Sequence, residues 1–296
     1  MRRIIVSLFV LTVAATSSLV AHSFFAKPVV MQDHASQRQK AAKLLSDNNH
    51  AEALAIYTQL ATDPTNTAGA LSDDFRSAMQ GLNSLNRVAE FDQLMEDSIA
   101  AHPQNWRLLL TIAQVVQQHE VTNDGYIVGG TFERGYHRGG GKYVSSRTRD
   151  RVKALQLLVS AMPLMENDQT AKPSEKGNFY QSLAEISGEN RHGESWRLQD
   201  LTDLETLPDY DEAGGGRGYG RGMFSIPSSG MQFGRGGIGR GFIGNTSKGA
   251  PVDEDGNPIF IQLPTSWQAA KTDGERWRWA MEQSAIADPS RRSEVD

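Results

Sequence analysis

The 296-residue chain has no cysteine, which excludes disulfides, thiolate metal sites and cysteine nucleophiles together. It also has little net charge. At −5 overall, with a pI near 5.8, it carries no global field that favours nucleic acid or an anionic membrane. Long apolar runs are scarce too. The one such run, "IIVSLFVLTVAATSSLVA", follows Arg2 and Arg3 and leads into "AHS", which places small residues at the −3 and −1 positions of a cleavage site. The expectation is a signal peptide over residues 1–23, removed on export. The competing reading is an uncleaved anchor, although Ser and Thr dilute the end of the run. With no lipobox cysteine and too short a basic region for a twin-arginine signal, the mature chain is expected in the periplasm, cell envelope or medium. No stable membrane span is expected after cleavage.

What is present instead is helical periodicity. "SQRQKAAKLLSDNNHAEALAIYTQLATDP" reads as two amphipathic helices broken at "DNNH", with Ala53, Ile56, Tyr57 and Leu60 on one face of the second and Pro64 stopping it. A small residue four places before an aromatic, followed by Asp-Pro, is the second-helix pattern of a tetratricopeptide unit. "LSDDFRSAMQGLNSLN" and "RVAEFDQLMEDSIAAHP" form a weaker copy ending at Pro103. Pro64 and Pro103 lie 39 residues apart, longer than the standard period of about 34. "NWRLLLTIAQVVQQ" supplies a further first helix, with Trp106 and Leu109 facing inward. The pattern resumes at "TRDRVKALQLLVSAMPLM", "SEKGNFYQSLAEIS" and "GESWRLQDLTDL". The fold expected is mainly α: a short tetratricopeptide-like helical-repeat array over residues 36–205, interrupted by an ordered insertion near 121–147.

That insertion holds "TFERGYHRGGGKYVSSRTRDRVKALQLL", with three consecutive glycines and seven Lys and Arg side chains. It is not a P-loop, because Tyr136 stands where the first glycine is needed and Tyr143 where Ser or Thr should follow the lysine. His137, with Glu133 nearby, could act as an acid–base pair, but no nucleophile or metal partner stands at a fixed spacing. "HEVTN" at His119 has Asn123 in place of the second histidine of a zinc-protease motif. No catalytic residue, metal or cofactor is assigned. Alternation around Tyr126, Val128, Phe132 and Tyr143 suits a short hairpin or ordered excursion. Ser145 or Ser146 is expected to cap a helix beginning near Thr148, with Asp150 in its first turn. Arg134, His137, Arg138, Lys142, Arg147 and Arg149 form either a solvated basic turn or a docking surface for an acidic partner or neighbouring domain.

Residues 213–249 contain 14 glycines, five basic residues and no acidic one, and read as a flexible tether. Arg235-Gly-Gly and the aromatics Tyr219, Phe224, Phe233 and Phe242 occur in single-strand RNA binders as well. Export argues against that use, and no nucleic-acid partner is assigned. In "VDEDGNPIF", Pro258 and Pro264 occupy positions that an EF-hand fills with Gly and Glu, so a tight turn entering a short strand is expected. With the helix in "SWQAAKTDGERWRWAMEQSAIADP", residues 250–296 are expected to form a small strand-plus-helix element.

Three segments, "FERGYHRGGGKYVSSRTRDRVKALQLL", "GESWRLQDLTDLETLPDY" and "GAPVDEDGNPIFIQLPTSWQAAKTDGERWRWAMEQSAIADP", resemble the N-terminal region of alpha-2-macroglobulin-like proteins of planctomycete-type bacteria. The likeness spans residues 38–289, with the segments in the same order. It implies an exported, non-enzymatic helical-repeat module ahead of macroglobulin domains in a protease-trap endopeptidase inhibitor. The chain has no cysteine for the family's Cys-x-Glu-Gln thioester and no run of sandwich strands, so no functional residue carries over. The expected partners are protein: downstream macroglobulin domains, or, for a stand-alone scaffold, a protein or peptide.

Overall fold

The break at "DNNH" has a specific backbone origin. In the computed structural model, α1 (His34–Ser46) ends on Asn48, whose φ of 60° is left-handed. Asn49 N–H then donates to the Leu44 carbonyl at 2.8 Å and Asn48 N–H to Leu45 at 3.1 Å, closing a Schellman motif. α2 (His50–Thr62) follows at once. The second helix pair repeats the device: α3 (Leu71–Ser84) ends on Asn86 at φ 54°, with Arg87 N–H donating to the Leu82 carbonyl at 2.8 Å. A 3₁₀ turn then leads into α4 (Phe91–Ala101), and α5 (Trp106–Gln117) starts where the Asn105 side chain accepts from Leu108 N–H at 3.1 Å. The structure describes residues 33–66, 69–117, 120–189, 191–212, 252, 254–257 and 262–294. The expected signal peptide, the glycine-rich tether and the strand after "DEDGNP" lie outside them.

After α5 the chain makes a hairpin of β1 (Asp124–Val128) and β2 (Thr131–Arg134), then β3 (Lys142–Ser145). α6 (Arg147–Asn167) and α7 (Pro173–Ser187) resume the helical pattern. A two-residue strand, β4 (Asp211–Glu212), completes an antiparallel sheet ordered β2-β1-β3-β4. The last helix, α8 (Asp273–Ala287), opens with a side-chain cap: Thr272 accepts from Glu275 N–H at 3.1 Å, and Glu275 in turn accepts from the N–H of Lys271, the residue before the cap, at 2.6 Å.

Successive helices pack on one another from α1 to α3, α5 bridges to α6 across the insertion, and α7 packs on both α6 and α8. They share one apolar core that includes Leu60, Phe75, Phe91, Leu108, Leu155 and Phe179, each essentially without exposure. Burying one such side chain contributes about 1.5–3 kcal/mol. A run of edge-to-face rings, Trp106–Phe179–Tyr180–Trp279–Trp267, carries the core from α5 through α7 into α8 at centroid spacings of 6.1, 5.8, 5.8 and 6.2 Å. The described residues from His34 onward therefore form one unit, and α8 belongs to the helical body. Among the described residues no helix is long and apolar enough to cross a membrane.

One local expectation is corrected and one is narrowed. "GESWRLQDLTDL" is a 3₁₀ turn over His192–Arg197 followed by extended chain. Its backbone is claimed by distant groups: the carbonyls of Leu198, Asp200, Thr202, Leu204 and Pro208 accept from Gly274 N–H, Asp273 N–H, Arg276, Gln156 and Arg149. Those carbonyls bond across the fold and not up a helix. Of the two serines expected at the start of α6, Ser146 stands at the N-cap but its hydroxyl donates to Asp150 at 2.6 Å, and it is Ser145 whose hydroxyl accepts from Arg147 N–H at 3.3 Å.

Candidate functional site

The hairpin is set by its turn. Gly129 and Gly130 have φ of 58° and 89°, the pair of positive values that a two-residue type I′ connection requires. The resulting register alternates side chains between two faces. The inner face carries Ile127, Phe132, Arg134 and Val144. Phe132 stacks on Tyr210 with ring centroids 4.5 Å apart.

Arg134 is the centre of that face, with only 1% of its side chain exposed. It donates to both oxygens of Asp150 in α6 (2.8 and 3.1 Å) and both of Asp92 in α4 (3.1 and 2.7 Å). It also donates to the Thr122 carbonyl at 2.8 Å and the Ser146 hydroxyl at 3.0 Å. The rings of Phe91 and Phe132 lie 5.5 and 5.3 Å from its guanidinium carbon. Burial pulls the guanidinium pKa down, but the hydrogen bonds and charges of Asp150 and Asp92 outweigh it and hold the group above its ordinary value.

The six candidate docking residues therefore separate. Arg134 is an internal tie and not a surface group. Arg149 is turned inward, donating to the Pro208 carbonyl at 2.7 Å with its guanidinium 5.0 Å from the Tyr210 ring. Lys142 is exposed but paired with Glu212 at 2.5 Å, and that pairing lowers the Glu212 pKa. Arg138 and Arg147 are exposed. His137 is half-buried, its Nδ1 2.8 Å from Glu133 Oε2. A Cβ on Gly139 would stand 2.4 Å from His137 Nε2, so the first glycine of the triplet lets the tip of the imidazole ring approach the loop closely. Gly141, the third, lies against Val128 and Tyr126 of β1.

On the outer face the register aligns Asp124 with Ser145, and Tyr126 with both Glu133 and Tyr143. The Tyr126 ring lies 5.3 Å from Tyr143 and 6.0 Å from His137. Partial burial, then a hydrogen bond to Asp124, raises the Tyr143 phenol pKa above its ordinary value. Sequence reasoning missed this stripe and the Asp92 partner of Arg134. The visible signal for the stripe was Gly129-Gly130 between two alternating segments, which fixes the register.

Two further features are accounted for within the fold. An open 570 Å³ crevice beside α5 is lined by His102, Trp106, Arg107 and Asp168 among others. Its polar groups are mostly matched internally: Trp106 Nε1 and Arg107 donate to Asp168, and Arg107 also holds Glu175. At the other end of α6, Arg151 donates to the carbonyls of Ile186 and Ser187, to Thr202 Oγ1 and to Asp273, at 2.8–2.9 Å. Among the described residues no group of three or more His, Asp or Glu side chains is placed to hold a metal ion. No family model, curated protein or solved structure matches the chain.

Proposed function

We propose that this chain is a non-enzymatic helical-repeat module that works by binding protein, and that it serves as the N-terminal part of an exported alpha-2-macroglobulin-like protease trap. The observation that carries the reading is the way the three resembling segments interlock. Arg151 of the first segment, Thr202 of the second and Asp273 of the third meet in one partly buried cluster. Phe132 and Arg149 of the first also pack on Tyr210 of the second. Segments far apart in sequence that lock together form one structural part, and that supports their occurring together and in order in larger proteins. A buried scaffold of this kind presents surface to a partner or neighbouring domain. Glu133 Oε2 stands 2.8 Å from His137 Nδ1, a local contact at the rim of the insertion.

The test is the size of the native polypeptide, read by immunoblot of the producing cell's envelope fraction with an antibody to residues 36–205. A band several times larger than 32.5 kDa is the result expected. A single band near 30 kDa would overturn the trap assignment and leave a stand-alone protein-binding scaffold.

A further inference from the structure

The outer face of the insertion carries chemistry that neither the helical body nor the Arg134 cluster uses. By register the strand positions on it include Asp124, Tyr126, Glu133, Tyr143 and Ser145, with no lysine or arginine among them; Lys142 falls on the opposite face. The rings of Tyr143, Tyr126 and His137 run on contiguously, with Asp124 beside the Tyr143 phenol at one end and Glu133 on His137 at the other. Tyr143 is 41% exposed and Asp124 is exposed as well. Open tyrosine faces bordered by carboxylates match a planar cation: a guanidinium stacks on the ring while its N–H groups pair with a carboxylate. Of the basic residues that pointed to an acidic partner, Arg134 is buried and Lys142 and Arg149 are engaged within the chain, while Arg138 is exposed and the exposed Arg147 lines the same crevice as Asp124 and Ser145.

We propose that this face docks an arginine-bearing segment of a partner polypeptide, with one guanidinium over Tyr143 and Tyr126 and hydrogen-bonded to Asp124. The proposal rests on the reading of the chain as a protein-binding module and names the chemistry of what it binds. An ammonium fits less well, since it is a compact charge that cannot both stack and pair in a plane.

The test is fluorescence anisotropy of labelled nona-arginine, nona-lysine and nona-glutamate peptides titrated with the purified chain. The arginine peptide binds most tightly, the lysine peptide about threefold more weakly, and the glutamate peptide not at all. Tyr143→Ala and Asp124→Asn each weaken the arginine peptide by about fivefold while Tyr126→Phe, which keeps the ring, does not. The urea midpoint of each variant is measured alongside; should Tyr143→Ala shift it, Asp124→Asn decides the matter alone. Absence of arginine-peptide binding, equal binding of all variants, or preference for the glutamate peptide would overturn the proposal. The size of the native polypeptide is read independently, so failure of this docking surface is distinguishable from failure of the module assignment.

Discussion

Arg134 on β2 donates two hydrogen bonds to Asp150 in the first turn of α6, in a site where both side chains are buried, while the same guanidinium donates two more to Asp92 of α4. The insertion is thus tied into the helical body on both sides by one residue.

Removing that residue leaves two carboxylates facing each other without their cation. Arg134→Met is expected to cost about 3–5 kcal/mol of unfolding free energy, read from urea midpoints at constant slope. Arg134→Lys should recover little of it, because an ammonium cannot engage two carboxylates by paired bonds. A midpoint equal to the parent's would show that the cluster contributes nothing.

His102, just after α4, supplies a pH dependence. It is 7% exposed, and its Nε2 has no hydrogen-bond partner. Burial lowers the imidazole pKa, against the opposing pull of Asp63 and of the Ala61 carbonyl. The folded protein therefore keeps His102 neutral where the unfolded chain takes up a proton. The stability this contributes is fully present above the unfolded value of about 6.5 and is lost as pH falls through the window below it. Unfolding free energy should decline between pH 7.5 and 5, by at most about 1.4 kcal/mol per pH unit from this group. His102→Leu should flatten the decline. An unchanged slope in that variant would assign the effect elsewhere.

How much of this was legible in the sequence depends on the range of the interactions. The face formed by Ala53, Tyr57 and Leu60 follows from a 3.6-residue period, and the break at Asn48 from local backbone chemistry, so the helix pairs could be read directly. The segment after α7 could not be read this way. Leu198, Leu201 and Leu204 have helix-like spacing, but the carbonyls there bond to Arg276, Gln156 and other partners as far away as Gly274, which bonds Leu198. The basic residues of the insertion misled for the same reason: charge was visible, while the partner that buries Arg134, Asp92, lies 42 positions earlier.

The hairpin turn gives a local prediction. Gly129→Asn should change stability by less than about 0.5 kcal/mol, because asparagine accepts the left-handed conformation at the first position of a type I′ turn. Gly130→Val, placed at φ 89°, should cost about 1–2 kcal/mol. Thermal unfolding of the two variants side by side checks this, and equal losses would contradict the turn assignment.

The contact between Arg151 and Asp273 joins the first and third of the resembling segments most directly. A double-mutant cycle with Arg151→Ala, Asp273→Ala and the double variant, followed by urea unfolding, measures it. The prediction is a single cooperative transition in the parent and a coupling of about 2 kcal/mol or more between the two sites. A coupling below about 0.5 kcal/mol, with α8 unfolding in a separate transition, would contradict it.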